Sequence, residues 1–113
     1  MTLRTITPAD LYQKITSQEK VVLLDVRAEE KYNDYHIEGT NVESLNVIKS
    51  EIFNLDEIKH EGIQSLPKAQ EIVVTCTTGN SASKCANILS SQNYDVLVLE
   101  GGITAWKEYL QSK

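Results

Sequence analysis

The chain has 113 residues, 41% hydrophobic and 24% charged, a length and mix that fit one globular domain over residues 1–113 and are too small for two. With 16 acidic against 11 basic side chains the net charge is -5, and Arg4 and Arg27 are its two arginines, which argues against nucleic acid or an anionic membrane as a partner. No apolar run approaches the roughly 20 residues of a membrane span, Met1-Thr-Leu-Arg-Thr5 lacks a signal-peptide core, and the spacing of Cys76 and Cys85 fits neither a C-x-x-C pair nor a zinc site, so a cytoplasmic protein with reduced thiols and no metal is expected.

Thr7-Pro-Ala-Asp10 marks a helix start: Thr at the N-cap, Pro at the first helical position, an acid three residues on, and Ile6 and Leu11 placed to close a hydrophobic staple. A helix over about residues 8 to 16 is predicted. Val21-Val-Leu-Leu24, Ile72-Val-Val74 and Val96-Leu-Val-Leu99 are uninterrupted apolar runs, the pattern of parallel strands covered on both faces. Leu45, Ile48, Ile52 and Leu55 recur at a helical period, and Asn54 with Glu57 reads as a fresh N-cap. Two short helices over residues 45 to 66 are therefore predicted, ending near Gly62 and Pro67. Ala82, Cys85, Ala86 and Leu89 share one helical face between two strand runs, giving a right-handed β-α-β crossover. Gly101-Gly102 ends the last strand, and Ile103, Trp106, Tyr109 and Leu110 are assigned to the inner face of a closing helix. The alternation predicts an α/β three-layer sandwich.

The stretch Ile72 to Ala82 carries the chemistry. A buried strand delivers Cys76 to its carboxyl end, and Thr77, Thr78, Gly79, Asn80, Ser81 and Ala82 are small and polar enough to curl with their backbone N–H groups inward. A ring of N–H dipoles backed by a helix N-terminus is an anion cradle, and it stabilises S⁻ over SH without a histidine partner. The plainer reading is a strand-end cysteine acting as a small hydrophobe.

Three separated segments resemble one family. Leu24-Asp-Val-Arg27 with Glu30-Lys-Tyr32 and His36-Ile-Glu-Gly39 resembles the rhodanese pattern D-V-R, E-[YF], H-I-x-G; Cys76-Thr-Thr-Gly79-Asn-Ser81 resembles its active-site loop; Leu99-Glu-Gly-Gly102 with Ala105-Trp106 resembles its closing L-x-G-G-x-x-x-W. The resemblance implies a central five-stranded, mainly parallel sheet flanked by helices, and a sulfurtransferase that carries sulfane sulfur as a persulfide on Cys76. It implies a substrate-binding loop of Thr77, Thr78, Gly79, Asn80, Ser81 and Ala82, with Asp25 and Arg27 as a supporting pair and no cofactor. The partners implied are a small sulfane donor, thiosulfate or a persulfide, and a thiol or cyanide acceptor, with a sulfur-relay protein as an alternative. Many catalytic members carry Arg where this chain has Ser81, and many read G-H-I-P-G-A where it has Tyr35-His36-Ile37-Glu38-Gly39-Thr40. Gly79-Asn80-Ser81 resembles the loop of a single-domain, thiosulfate-type subgroup instead, which leaves the preferred donor open.

Other residues have quieter readings. His36, with no clustered ligand, is read as structural, and His60 as a surface residue. Cys85 lies on the apolar helical face, which favours core packing over a resolving role, since a disulfide needs a Cα separation under roughly 7 Å. A phosphatase needs C-x5-R, and the sixth residue after Cys76 is Ala82. Two rivals remain: a non-catalytic interaction module, which usually loses the cysteine, and a protein-to-protein persulfide carrier.

Overall fold

The computed structural model describes residues 4–53 and 70–112. In chain order its elements are β1 (Thr5–Ile6), α1 (Pro8–Thr16), β2 (Val21–Asp25), α2 (Glu29–Asp34), β3 (Val42–Asn46), α3 (Lys49–Phe53), β4 (Glu71–Thr75), α4 (Asn80–Ser91), β5 (Asp95–Leu99) and α5 (Gly102–Gln111). The strands form one sheet in the order β1-β5-β4-β2-β3, and every pairing is parallel. The three apolar runs are β2, β4 and β5, at its centre.

Each central strand splits its side chains between two cores, as a strand covered on both faces must. Val22, Leu24, Ile72, Val74, Val96 and Val98 join Ile52 of α3 and Ala82, Cys85, Ala86 and Leu89 of α4. Val21, Leu23, Val73, Leu97 and Leu99 join Leu11 of α1 and Ile103 and Trp106 of α5. The result is the α/β sandwich expected. The first helix begins as its sequence dictates: the Thr7 hydroxyl accepts the Asp10 N–H at 3.1 Å, Pro8 leads the helix, and Ile6 and Leu11 are buried in the same core.

Two expectations are corrected. Leu45 belongs to a strand, not a helix: β3 pairs with β2 along its whole length, Leu24 opposite Leu45, and the ladder overrides the helical spacing. Of that spacing, Ile52 in the short α3 is buried while Ile48 is 40% exposed. Leu55, the Asn54–Glu57 cap, His60, Gly62 and Pro67 lie outside the described residues. In α5, Ile103 and Trp106 are buried but Leu110 is 37% exposed. Tyr12 closes that end of the core, with ring centroids 6.3 Å from Trp106 and 5.7 Å from Tyr109, which leaves Leu110 outside. Among the described residues no helix is long and apolar enough to cross a membrane.

Candidate active site

Cys76 follows the last residue of β4, at the carboxyl edge of the sheet, where open α/β sheets place their ligand sites. The cysteine residue is nearly covered, at 5% exposure. The chain turns back at Gly79, whose φ of +105° is open to glycine and strained for other residues, and enters α4 at Asn80. This turn aims two amides at the sulfur: the Gly79 N–H donates to Sγ at 3.0 Å and the Ala82 N–H at 3.4 Å. Ser83 fixes the turn from the helix side, donating its N–H and its hydroxyl to the Gly79 carbonyl at 3.0 and 2.9 Å. The arrangement suits anionic sulfur, because both donors are backbone groups held by the fold.

The other side of the loop is braced by α5. The Ile103 N–H donates to the Cys76 carbonyl at 2.9 Å and the Thr104 N–H to the Thr77 carbonyl at 3.0 Å. This contact explains the glycine doublet. A Cβ on Gly102 would stand 2.5 Å from the Cys76 oxygen and 2.7 Å from the Thr77 carbonyl, and its φ is +61°.

Asp25 and Arg27 meet at the end of β2. Arg27 Nε donates to both Asp25 oxygens at 3.0 Å and Nη2 donates to Oδ2 at 2.7 Å, while Nη2 also reaches the Tyr35 carbonyl. Both side chains are largely buried, at 9% and 3% exposure. The guanidinium is thus engaged by Asp25 and by the Tyr35 carbonyl. The Asn46 amide donates to the Asp25 and Arg27 carbonyls at 2.9 and 3.0 Å, and the Val26 N–H to the Thr75 carbonyl at 3.0 Å, so this turn is tied to β3 and to the strand that carries Cys76.

Thr77, Thr78, Asn80 and Ser81 line a cavity of about 390 Å³ together with Cys76, Val26, Arg27, Ala28, Lys31, Ile48 and Lys49. The loop residues singled out in the sequence therefore gather round one pocket, with Gly79 and Ala82 supplying amides beneath them. Lys31, Asn46, Ile48 and Lys49 were not among the site residues expected from sequence: α2 carries Lys31 to this region, and β2–β3 pairing brings the other three.

His36 lies elsewhere. It stacks on Tyr32 at 4.0 Å, its Nδ1 is 2.8 Å from the Tyr32 carbonyl and its Nε2 is 2.9 Å from Glu38. Cys85 is fully buried in the core that also holds Cys76. Burial, then the neighbouring Cys76, push the Cys85 thiol up to about 12, with Lys49 acting in the opposite direction. It is a protonated core residue at neutral pH. Among the described residues no group of His, Cys, Asp and Glu is placed to hold a metal ion.

The family model for the rhodanese-like domain matches residues 7–109. The chain is 32% identical over 108 residues to a probable adenylyltransferase/sulfurtransferase, MoeZ, of Mycobacterium tuberculosis, a match covering 95% of this chain and 25% of that protein. It is 30% identical over 97 residues to the thiosulfate sulfurtransferase GlpE of Shewanella oneidensis, covering 84% of each. Among solved structures, a rhodanese-related protein from Thermoplasma volcanium superposes with a TM-score of 0.75 at 29% identity, over 94% of this chain and 92% of that one.

Proposed function

The chain belongs to the rhodanese-like domain family, and from that membership we propose that it is a sulfurtransferase in which Cys76 carries sulfane sulfur as a persulfide. The observation that carries the reading is the Cys76 sulfur held by the Gly79 and Ala82 amides at one wall of a pocket lined by Thr77, Thr78, Asn80 and Ser81. The Cys76 thiolate attacks the outer sulfur of a donor such as thiosulfate or an organic persulfide. The donor's S–S bond breaks, sulfite or thiolate leaves, and a thiol or cyanide later takes the outer sulfur from Cys76. Little proton transfer is needed when the leaving group is weakly basic, which fits a pocket whose described lining includes no histidine. The same two amides can serve S⁻ and then S–S⁻. Asp25, Arg27 and Asn46 position the loop's neighbouring turn and do not touch sulfur.

A second reading, sulfur relay between proteins, draws on the likeness to the sulfurtransferase MoeZ, of which this chain matches one quarter. Both readings share the Cys76 persulfide and differ in donor and acceptor. Incubation with thiosulfate or an organic persulfide, followed by intact-mass measurement, should add one sulfur atom to the wild type and none to Cys76→Ser, and cyanide should remove it. A wild type that takes sulfur from no donor, or a Cys76→Ser protein that still turns donor over, defeats the enzyme reading.

A further inference from the structure

Lys31 of α2 and Lys49 at the start of α3 come from separate elements to line the pocket that holds Cys76, and both are exposed. Among the described residues neither is paired with a carboxylate. The pocket's third cation, Arg27, is already occupied by Asp25. Two lysines without a carboxylate partner among the described residues therefore line one pocket of a chain whose net charge is -5.

The same pocket has an apolar wall of Val26, Ala28 and Ile48. Ile48, at 40% exposure, is one of two large hydrophobic side chains that the described residues leave in water. Exposed lysines are ordinarily solvated surface, and a lone exposed isoleucine is ordinary too. Here both kinds meet at a cavity containing a nucleophile. At about 390 Å³ that cavity falls in the range of pockets that enclose organic ligands, roughly 300–1,000 Å³. A compact inorganic anion such as thiosulfate fills little of it and brings no carbon to cover Ile48.

Resting on the sulfurtransferase reading of Cys76, we propose that Lys31, Lys49 and Ile48 select the donor: an organic persulfide of a small, carboxylate-bearing thiol. The ammonium groups take the carboxylate, Ile48 covers the carbon chain, and the terminal sulfur meets Cys76 Sγ. In the transfer, the Cys76 thiolate attacks the outer sulfur of R–S–SH and a new S–S bond forms. The donor's own S–S bond breaks with its electron pair going to R–S⁻, and the proton stays on the transferred sulfur as Cys76–S–SH. No oxidant or reductant enters.

The test compares two probes that differ by one carboxylate, N-acetylcysteine persulfide and N-acetylcysteamine persulfide, with thiosulfate as a third donor, each read as kcat/KM for sulfur loading of Cys76 by intact mass. The carboxylated donor should be preferred by about tenfold at low salt, the combined effect of two exposed ion pairs, and the preference should shrink as salt rises. The Lys31→Gln/Lys49→Gln double variant should reduce it to below about twofold. Lys107→Gln, whose lysine lies over the Tyr35 ring outside the pocket, should keep it. Equal loading by the two probes, or a double variant that keeps the preference, overturns donor selection alone. No loading from any donor overturns the sulfurtransferase reading and the selection with it.

Discussion

Replacing Gly102 by alanine tests whether α5 holds the nucleophile loop. The added Cβ meets backbone atoms, the Cys76 oxygen at 2.5 Å and the Thr77 carbonyl at 2.7 Å, where real contacts essentially never fall below 3.0 Å. Backbone cannot rotate aside as a flexible side chain does, so helix and loop must part by at least about half an ångström. Alanine at a φ of +61° costs about 1–2 kcal/mol. Weakening the amide bonds from Ile103 and Thr104 costs about 1 kcal/mol each. The expected loss is about 3–4 kcal/mol, or a fall in Tm of roughly 12–25 °C for a domain of this size. Calorimetry gives the first readout. The second is the rate of sulfur loading on Cys76 at a temperature where both proteins are folded. Displacement of the loop should lower kcat/KM by about tenfold to hundredfold. Gly39→Ala is the control, because its Cβ meets only side-chain atoms, of Val42 at 3.0 Å, Ile15 at 3.3 Å and Asn41 at 3.5 Å, and it should load sulfur at the wild-type rate. A Gly102→Ala protein that melts within about 2 °C of wild type and loads sulfur normally refutes the bracing role.

Asp25→Ala leaves the Arg27 guanidinium largely buried without its partner and should cost about 3–5 kcal/mol in urea unfolding; a loss below about 1 kcal/mol would make the pair incidental. Cys85→Ala should keep sulfur loading and lose about 1 kcal/mol through a small cavity, whereas lost loading at unchanged stability would make Cys85 a resolving thiol. Its titration adds a pH test: the unfolded chain releases the Cys85 proton near the ordinary 9.0 while the folded chain holds it to about 12, so stability falls as pH rises through that window. Melting curves should show part of that fall removed in Cys85→Ala. Ser81→Arg should lower a thiosulfate KM that in wild type stands at or above roughly 1 mM, by an amount that shrinks in high salt; a micromolar wild-type KM contradicts it.

What the sequence revealed depended on how local the signal was. The start of α1, the strands β2, β4 and β5, and the buried face of α4 are written in contiguous patterns, and each formed where its pattern predicted. The loop from Cys76 to Ala82 was legible for the same reason, since both amides that reach Sγ lie within six residues of it. The opposite wall was not. Ile48 and Lys49 line the Cys76 pocket because β3 runs in register beside β2, and Lys31 because α2 follows β2 directly; Leu45, read by period as helical, is one of the residues making that ladder. Tertiary pairing decided a segment whose local preference was weak. The glycine doublet was legible as the end of β5, but its fit against the Cys76 carbonyl depends on two segments meeting in space.

The amides that brace the nucleophile loop belong to residues synthesised after it. Cys76 emerges from the ribosome before Ile103 and Thr104, and β1, made first of all, waits at the edge for β5, its parallel partner. Non-local parallel pairing forms late. Until those segments arrive, the loop lacks the two amides that hold its Cys76 and Thr77 carbonyls. Sulfur loading on Cys76 should therefore reach its full rate only once α5 has docked, after the last strand has joined the sheet.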